Sequence, residues 1–174
     1  MFTRASVFVI SAALVLTGCS ASSDEAAPAA SVPTDAAPAL TGTPVSVEVS
    51  GEAGSEPIVA ITPGDPVTEL QVTDVIVGTG DPLPAGATLT ADYVGYGGAT
   101  GQMFDASWVR GEPATFPLDN VILGWQEGLV GMQIGGRRLL VIPAELGYGN
   151  NPPPGSGIEP GETLIFVVDL VSFE

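Results

Sequence analysis

The sequence predicts an α+β domain, a curved antiparallel sheet of about five strands wrapped around one short helix and preceded by a disordered N-terminal tether. Three observations predict it. Beyond residue 65 almost every apolar run is β-branched or aromatic and is bounded by Gly, Pro, Asp or Asn, as expected of strands joined by turns. One stretch, Val121 to Leu129 (VILGWQEGL), leads into helical spacing, with Ile122, Trp125, Leu129 and Met132 on one face. The 23 glycines and 16 prolines among 174 residues favour short elements over long helices.

The first segment, Met1 to Leu16, has a single positive charge at Arg4 and an apolar run from Val7 to Leu16. That run is too short to span a bilayer and suits the core of a signal peptide. It ends in Leu16-Thr17-Gly18-Cys19, which resembles a bacterial lipobox. The resemblance implies a leader of residues 1–18, acylation of Cys19 and a lipid anchor on the extracytoplasmic face of a cell membrane. The plainer alternative is an ordinary signal peptide followed by a leftover cysteine.

Cys19 to about Pro44 is rich in Ala, Ser, Pro and Thr without apolar periodicity, and reads as a tether. Val45 to Val49 alternates, Gly51 to Glu56 breaks the pattern, and Ile58 to Ile61 is a second short apolar run. This pair is either an added edge strand or more tether. The tether is therefore drawn as residues 19–65 and the folded domain as residues 66–174.

Within the domain, strands are expected at Leu70 to Val77, Thr88 to Tyr96, Ala114 to Leu118, Arg137 to Ile142 and Thr163 to Phe173. The last is apolar at nearly every position in its first half, as a central strand covered on both faces should be. Gly124 and Gly128 weaken the helix by roughly 1 kcal/mol each relative to alanine, so packing across the sheet has to hold it. On pattern alone Trp125 reads as a core residue filling a hole.

Composition removes several kinds of chemistry. Four arginines and no lysine against 20 acidic residues give a formal charge of −16, which repels nucleic acid and anionic headgroups alike. Any membrane contact would have to come from the lipid anchor. With no histidine, no lysine and one cysteine there is no Ser-His or Cys-His pair, no Schiff-base lysine and no usual zinc ligand set. Neither metal nor cofactor is expected. An enzyme built from these residues works with carboxylates, tyrosines, backbone dipoles or an apolar pocket, although no motif supports a carboxylate hydrolase.

Four segments together resemble the FKBP family of macrolide-binding peptidyl-prolyl isomerases: GQMFDAS (Gly101 to Ser107), FPLDNVILGWQEGLVGM (Phe116 to Met132), GGRRLLVIPAELGYG (Gly135 to Gly149) and GIEPGETLIFVVDL (Gly157 to Leu170). They follow one another with family-like spacing between residues 70 and 174. The resemblance implies the sheet-around-helix fold already suggested, and a pocket with Trp125 as floor and Tyr93, Phe104, Phe116, Val121, Ile122, Ile158 and Phe166 as walls. It makes Asp105 and Tyr148 the polar groups, and the Ile122 backbone N–H at the helix entrance a donor to a substrate carbonyl.

Simpler roles stand beside these. Asp105 could be a turn acid, Tyr148 a packing residue at a strand end, and Phe116 and Phe166 plain core. Arg137 and Arg138 are expected to pair with nearby acids and are given no catalytic part. Leu118 stands where some family members carry an aromatic, so one pocket wall should be thinner. Glu159 takes a place where proline is usual, and the proline-rich loop Asn150 to Gly157 bears on substrate preference and macrolide affinity. The expected protein is a monomeric, lipid-anchored isomerase of Xaa-Pro bonds in exported or unfolded polypeptides. The alternative is a module that uses the same pocket to hold proline or hydrophobic segments without turning them over.

Overall fold

Seven successive residues, Leu164 to Leu170, are buried, because strand β8 (Leu164–Phe173) is covered on both faces. The computed structural model describes residues 42–174, and the leader, Cys19 and most of the tether lie outside them. The described strands are β1 (Ser46–Ser50), β2 (Ile58–Thr62), β3 (Gln71–Ile76), β4 (Thr88–Gly97), β5 (Met103–Ala106), β6 (Ala114–Pro117), β7 (Arg137–Ile142) and β8, with helix α1 (Leu123–Gly128) between β6 and β7. Six strands form one antiparallel sheet in the order β3-β7-β8-β4-β5; β6 pairs with the first half of β4, alongside β5 on its second half.

Side chains alternate across each strand, so β8 feeds two cores. Leu164, Phe166, Val168 and Leu170 join Trp125, Leu129, Met132, Leu140 and Ile142 on the helix face. Ile165 and Val167 join Val94, Leu139 and Val141 on the outer face. The expected central position of this strand is met.

Among the described residues eight strands are present rather than about five. The strand missing from the sequence reading is β5, four residues long and carrying an aspartate, with no periodicity to announce it. The other two are β1 and β2. They pair with each other in register from Ser46↔Thr62 to Ser50↔Ile58, forming a separate hairpin instead of an added edge of the main sheet. Val47, Val49, Val59 and Ile61 lie over the outer-face core. The hairpin turn also caps an ion pair there. Arg137, fully buried, meets Asp169 through Nε–Oδ1 at 2.6 Å and Nη2–Oδ2 at 2.7 Å, while the Gly54 N–H donates to Asp169 Oδ2 at 2.7 Å and Nη2 donates to the Ser55 carbonyl. Arg138 pairs with Asp74, so both arginines find the acids expected of them.

Helix α1 is six residues long, and Met132 lies beyond it in a turn whose N–H donates to the Leu129 carbonyl. The glycines that weaken α1 in isolation bring it against β7. A Cβ at Gly124 would stand 2.4 Å from Ile142 Cγ2, and one at Gly128 would stand 2.7 Å from Leu140 Cδ2.

Candidate active site

The helix face of the sheet does not close completely around α1. A cavity of about 310 Å³ remains, lined by Tyr93, Phe104, Asp105, Phe116, Asn120, Val121, Ile122, Trp125, Tyr148 and Phe166. Strand β4 supplies Tyr93, β5 Phe104 and Asp105, β6 Phe116, and β8 Phe166. The turn ahead of α1 supplies Asn120, Val121 and Ile122.

Trp125 is only 4 % exposed and is met edge-on by three rings: Phe166 at 5.3 Å, Tyr93 at 5.5 Å and Phe116 at 5.8 Å between centroids. Edge-to-face contact sets the positive rim of one ring against the negative face of another, which holds the indole in one orientation. Phe104 and Phe166 pack in the same manner at 5.5 Å. Their fit depends on Gly95 of β4, where a Cβ would lie 2.7 Å from the Phe104 ring and 2.8 Å from that of Phe166.

The polar wall is a three-membered cluster. The Tyr93 hydroxyl donates to Asp105 Oδ2 at 2.5 Å, Arg110 Nη1 donates to Asp105 Oδ1 at 2.7 Å, and Arg110 Nη2 donates to the Tyr93 oxygen at 2.7 Å. The guanidinium carbon also stands 5.4 Å from the Tyr93 ring centroid. Burial alone would push the Asp105 carboxyl up, but the hydrogen bonds from Tyr93 and Arg110 and the charge of Arg110 outweigh it, holding Asp105 below the usual carboxylate value. Burial and the neighbouring carboxylate push the Tyr93 hydroxyl up to about 12. Ser107 pins this wall from behind, accepting the Tyr93 N–H at 2.9 Å and donating to Asp92 at 2.7 Å.

Tyr148 also lines the cavity and is 37 % exposed; burial and the charge of Asp105 raise its pKa. Among the described residues its hydroxyl has no hydrogen-bond partner, and the Ile122 N–H has none either. Both donors border the cavity.

Nine of the ten candidate residues thus line one cavity. The exception is Ile158, which is half-buried and packs on the helix-face core without lining it. Leu118, expected to leave one pocket wall thinner, is 1 % exposed within that core and is not among the residues lining the cavity. Asn120, Gly95 and Arg110 were not anticipated. The glutamate standing in a usual proline position has a local explanation: the Glu159 N–H, which proline would lack, donates at 2.8 Å to the buried carboxylate of Glu162. Glu162 in turn accepts from the Ala99 and Thr100 N–H groups, tying this loop to the β4–β5 turn.

Residues 80–171 match the family model described as FKBP-type peptidyl-prolyl cis-trans isomerase. The chain is 48 % identical over 119 residues to an FK506-binding protein of Streptomyces anulatus, covering 67 % of this chain and 96 % of that one. Among solved structures it resembles FkpA from Escherichia coli, with a TM-score of 0.56 and 42 % identity over 62 % of this chain and 49 % of that one. A peptidyl-prolyl cis-trans isomerase from Pseudomonas syringae gives the same TM-score at 31 % identity, covering 63 % of this chain and 78 % of that one.

Proposed function

The chain belongs to the FKBP-type peptidyl-prolyl cis-trans isomerase family and is an enzyme of that type, and on that footing we propose that it turns Xaa-Pro bonds of exported polypeptides while tethered through Cys19 to the extracytoplasmic face of a membrane. The observation that carries the isomerase reading is the cavity itself, an aromatic chamber whose one acid is already paired with an arginine.

Rotation about a peptide bond is slow because amide resonance must be lost, at a barrier of roughly 18–20 kcal/mol. No bond breaks, so neither a nucleophile nor a metal is required. The twisted amide has less charge separation than the planar one. A dry aromatic pocket therefore disfavours the ground state more than the transition state, a difference that accelerates the step. In this reading Trp125 is the floor on which the proline ring rests, and Tyr93, Phe104, Phe116, Val121 and Phe166 keep water out. The Ile122 N–H and the Tyr148 hydroxyl hold the flanking carbonyls while the ring turns. Asp105 and Arg110 fix Tyr93 in the wall. The same chamber supports binding of a macrolide, as the name of the Streptomyces relative suggests.

A Cys19→Ser protein lacking residues 1–18 serves for the assay. It should speed the cis-to-trans relaxation of an Xaa-Pro peptide, whereas a folded protein that leaves the uncatalysed rate unchanged is a holding module instead. Asp105→Ala should lower kcat/KM about tenfold with little change in thermal midpoint, since it loosens the Tyr93 wall without opening the core. Undiminished turnover would return Asp105 to a structural role.

The leader pattern, the lipobox and the lone cysteine support the anchored location. Among the described residues no helix is long and apolar enough to cross a membrane. In cells, Cys19→Ser should move the protein from the membrane fraction to the soluble one. Persistence with membranes would overturn the anchor.

A further inference from the structure

Gln126 lies in the first turn of α1, yet its side chain folds back along the chain. Nε2 donates to the Val121 carbonyl at 2.8 Å and stands 3.4 Å from the Asp119 carbonyl oxygen. Both neighbours are acceptors, so hydrogen-bond chemistry fixes which end of the amide faces them.

Val121 O and the Ile122 N–H belong to one trans peptide unit, in which C=O and N–H point in opposite directions. Holding the carbonyl on the Gln126 side turns the N–H to the other side. That N–H has no acceptor among the described residues, and both Val121 and Ile122 line the cavity. No side-chain cap fixes the start of α1, where Ile122 itself is the N-cap residue. With six residues, α1 has too little aligned backbone to aim a ligand by its dipole alone.

We propose that Gln126 is a positioning residue for the isomerase reaction: by capturing the Val121 carbonyl it orients the Val121–Ile122 peptide unit so that the Ile122 N–H meets a substrate carbonyl flanking the Xaa-Pro bond. The proposal rests on the reading of Ile122 as a donor. Glutamate, nearly the same shape, cannot perform this task, since a carboxylate would set oxygen against two carbonyl oxygens. Lysine retains a donor that reaches them.

The test uses the Cys19→Ser protein without residues 1–18, carrying Gln126→Glu, Gln126→Met or Gln126→Lys. Kinetics with an Xaa-Pro peptide are combined with the Ile122 amide NMR shift during peptide titration. An interaction that holds ground and transition states equally shows in KM. KM should rise about tenfold for Glu and about fivefold for Met with kcat within about twofold, and Lys should stay within about threefold of the parent. The parent Ile122 amide should shift as peptide binds. If it shifts but Glu and Met leave KM unchanged, or lower kcat alone, the positioning role is overturned while the donor survives. If the parent amide does not respond, the donor reading falls and the proposal falls with it. Should the Glu variant not fold, the Met and Lys pair decides by the same comparison.

Discussion

Arg110 and Asp105 are each a little under half exposed, at 45 % and 44 %, so their ion pair adds little to stability in water-like surroundings. Its value is directional, because the two groups clamp the Tyr93 hydroxyl from both sides. The lowered pKa of Asp105 means that its contribution is complete above the ordinary carboxylate value of about 3.9, and is lost only as pH falls through the lower folded value. Tyr93, held up at about 12, stays protonated on the alkaline side. The chain has no histidine to titrate between these limits. The pH profile of kcat/KM should therefore be flat from about pH 5 to pH 9, and a midpoint near neutrality would show that proton transfer takes part. Arg110→Leu should move the acid limb upward, toward the ordinary carboxylate value. The site roles of Tyr93, Asp105 and Trp125 were legible only through the family resemblance, since on pattern alone Trp125 reads as core and Asp105 as a turn acid. Arg110 was not: it follows Asp105 by five positions across a turn, and neither helix nor strand periodicity links such a pair. Gly95 was hidden for another reason, since only the two phenyl rings beside it reveal why the position must be small.

At the scale of elements, α1 illustrates how packing overrides intrinsic preference. Alanine at position 124 would favour an isolated helix by about 1 kcal/mol. In the folded protein its Cβ would meet Ile142 Cγ2 at 2.4 Å, and Ile142 is fully buried with no room to retreat. Overpacking of this kind costs about 1–3 kcal/mol, so the clash should win. Gly124→Ala should lower the midpoint of chemical denaturation, and a gain in stability would show that α1 can shift away from β7. The helix, the strand β7 and the strand β8 were all visible in the sequence because each has a sustained period or apolar run. Strand β5 escaped because four residues are too few to establish a period. The β1–β2 hairpin remained ambiguous because pairing between its strands, not alternation within either one, distinguishes a hairpin from an edge strand.

For the molecule as a whole, the main sheet has two cores, and the hairpin closes the second. Arg137 and Asp169 lie under its turn, where the Gly54 N–H donates to Asp169 and the Ser55 carbonyl accepts from Arg137 Nη2, while Arg137 Nη1 has no partner among the described residues. Removing one member of a buried pair costs about 3–5 kcal/mol because the other charge stays buried and unpaired. Asp169→Ala should therefore lower the thermal midpoint sharply, while molecules that remain folded keep their KM, because the pair lies on the face away from the cavity. A rise in KM as large as the loss of stability would show that the two faces are coupled. Removal of residues 42–65 should likewise expose Leu139, Val141 and Val167, the apolar residues beneath the hairpin.

A sheet clothed on both sides has a front and a back. The aromatic chamber opens at the front, and the described chain enters at the back, through Val45 and the first strand of the hairpin. The two faces can therefore be altered one at a time, the chamber through its aromatic lining and the back through its hairpin.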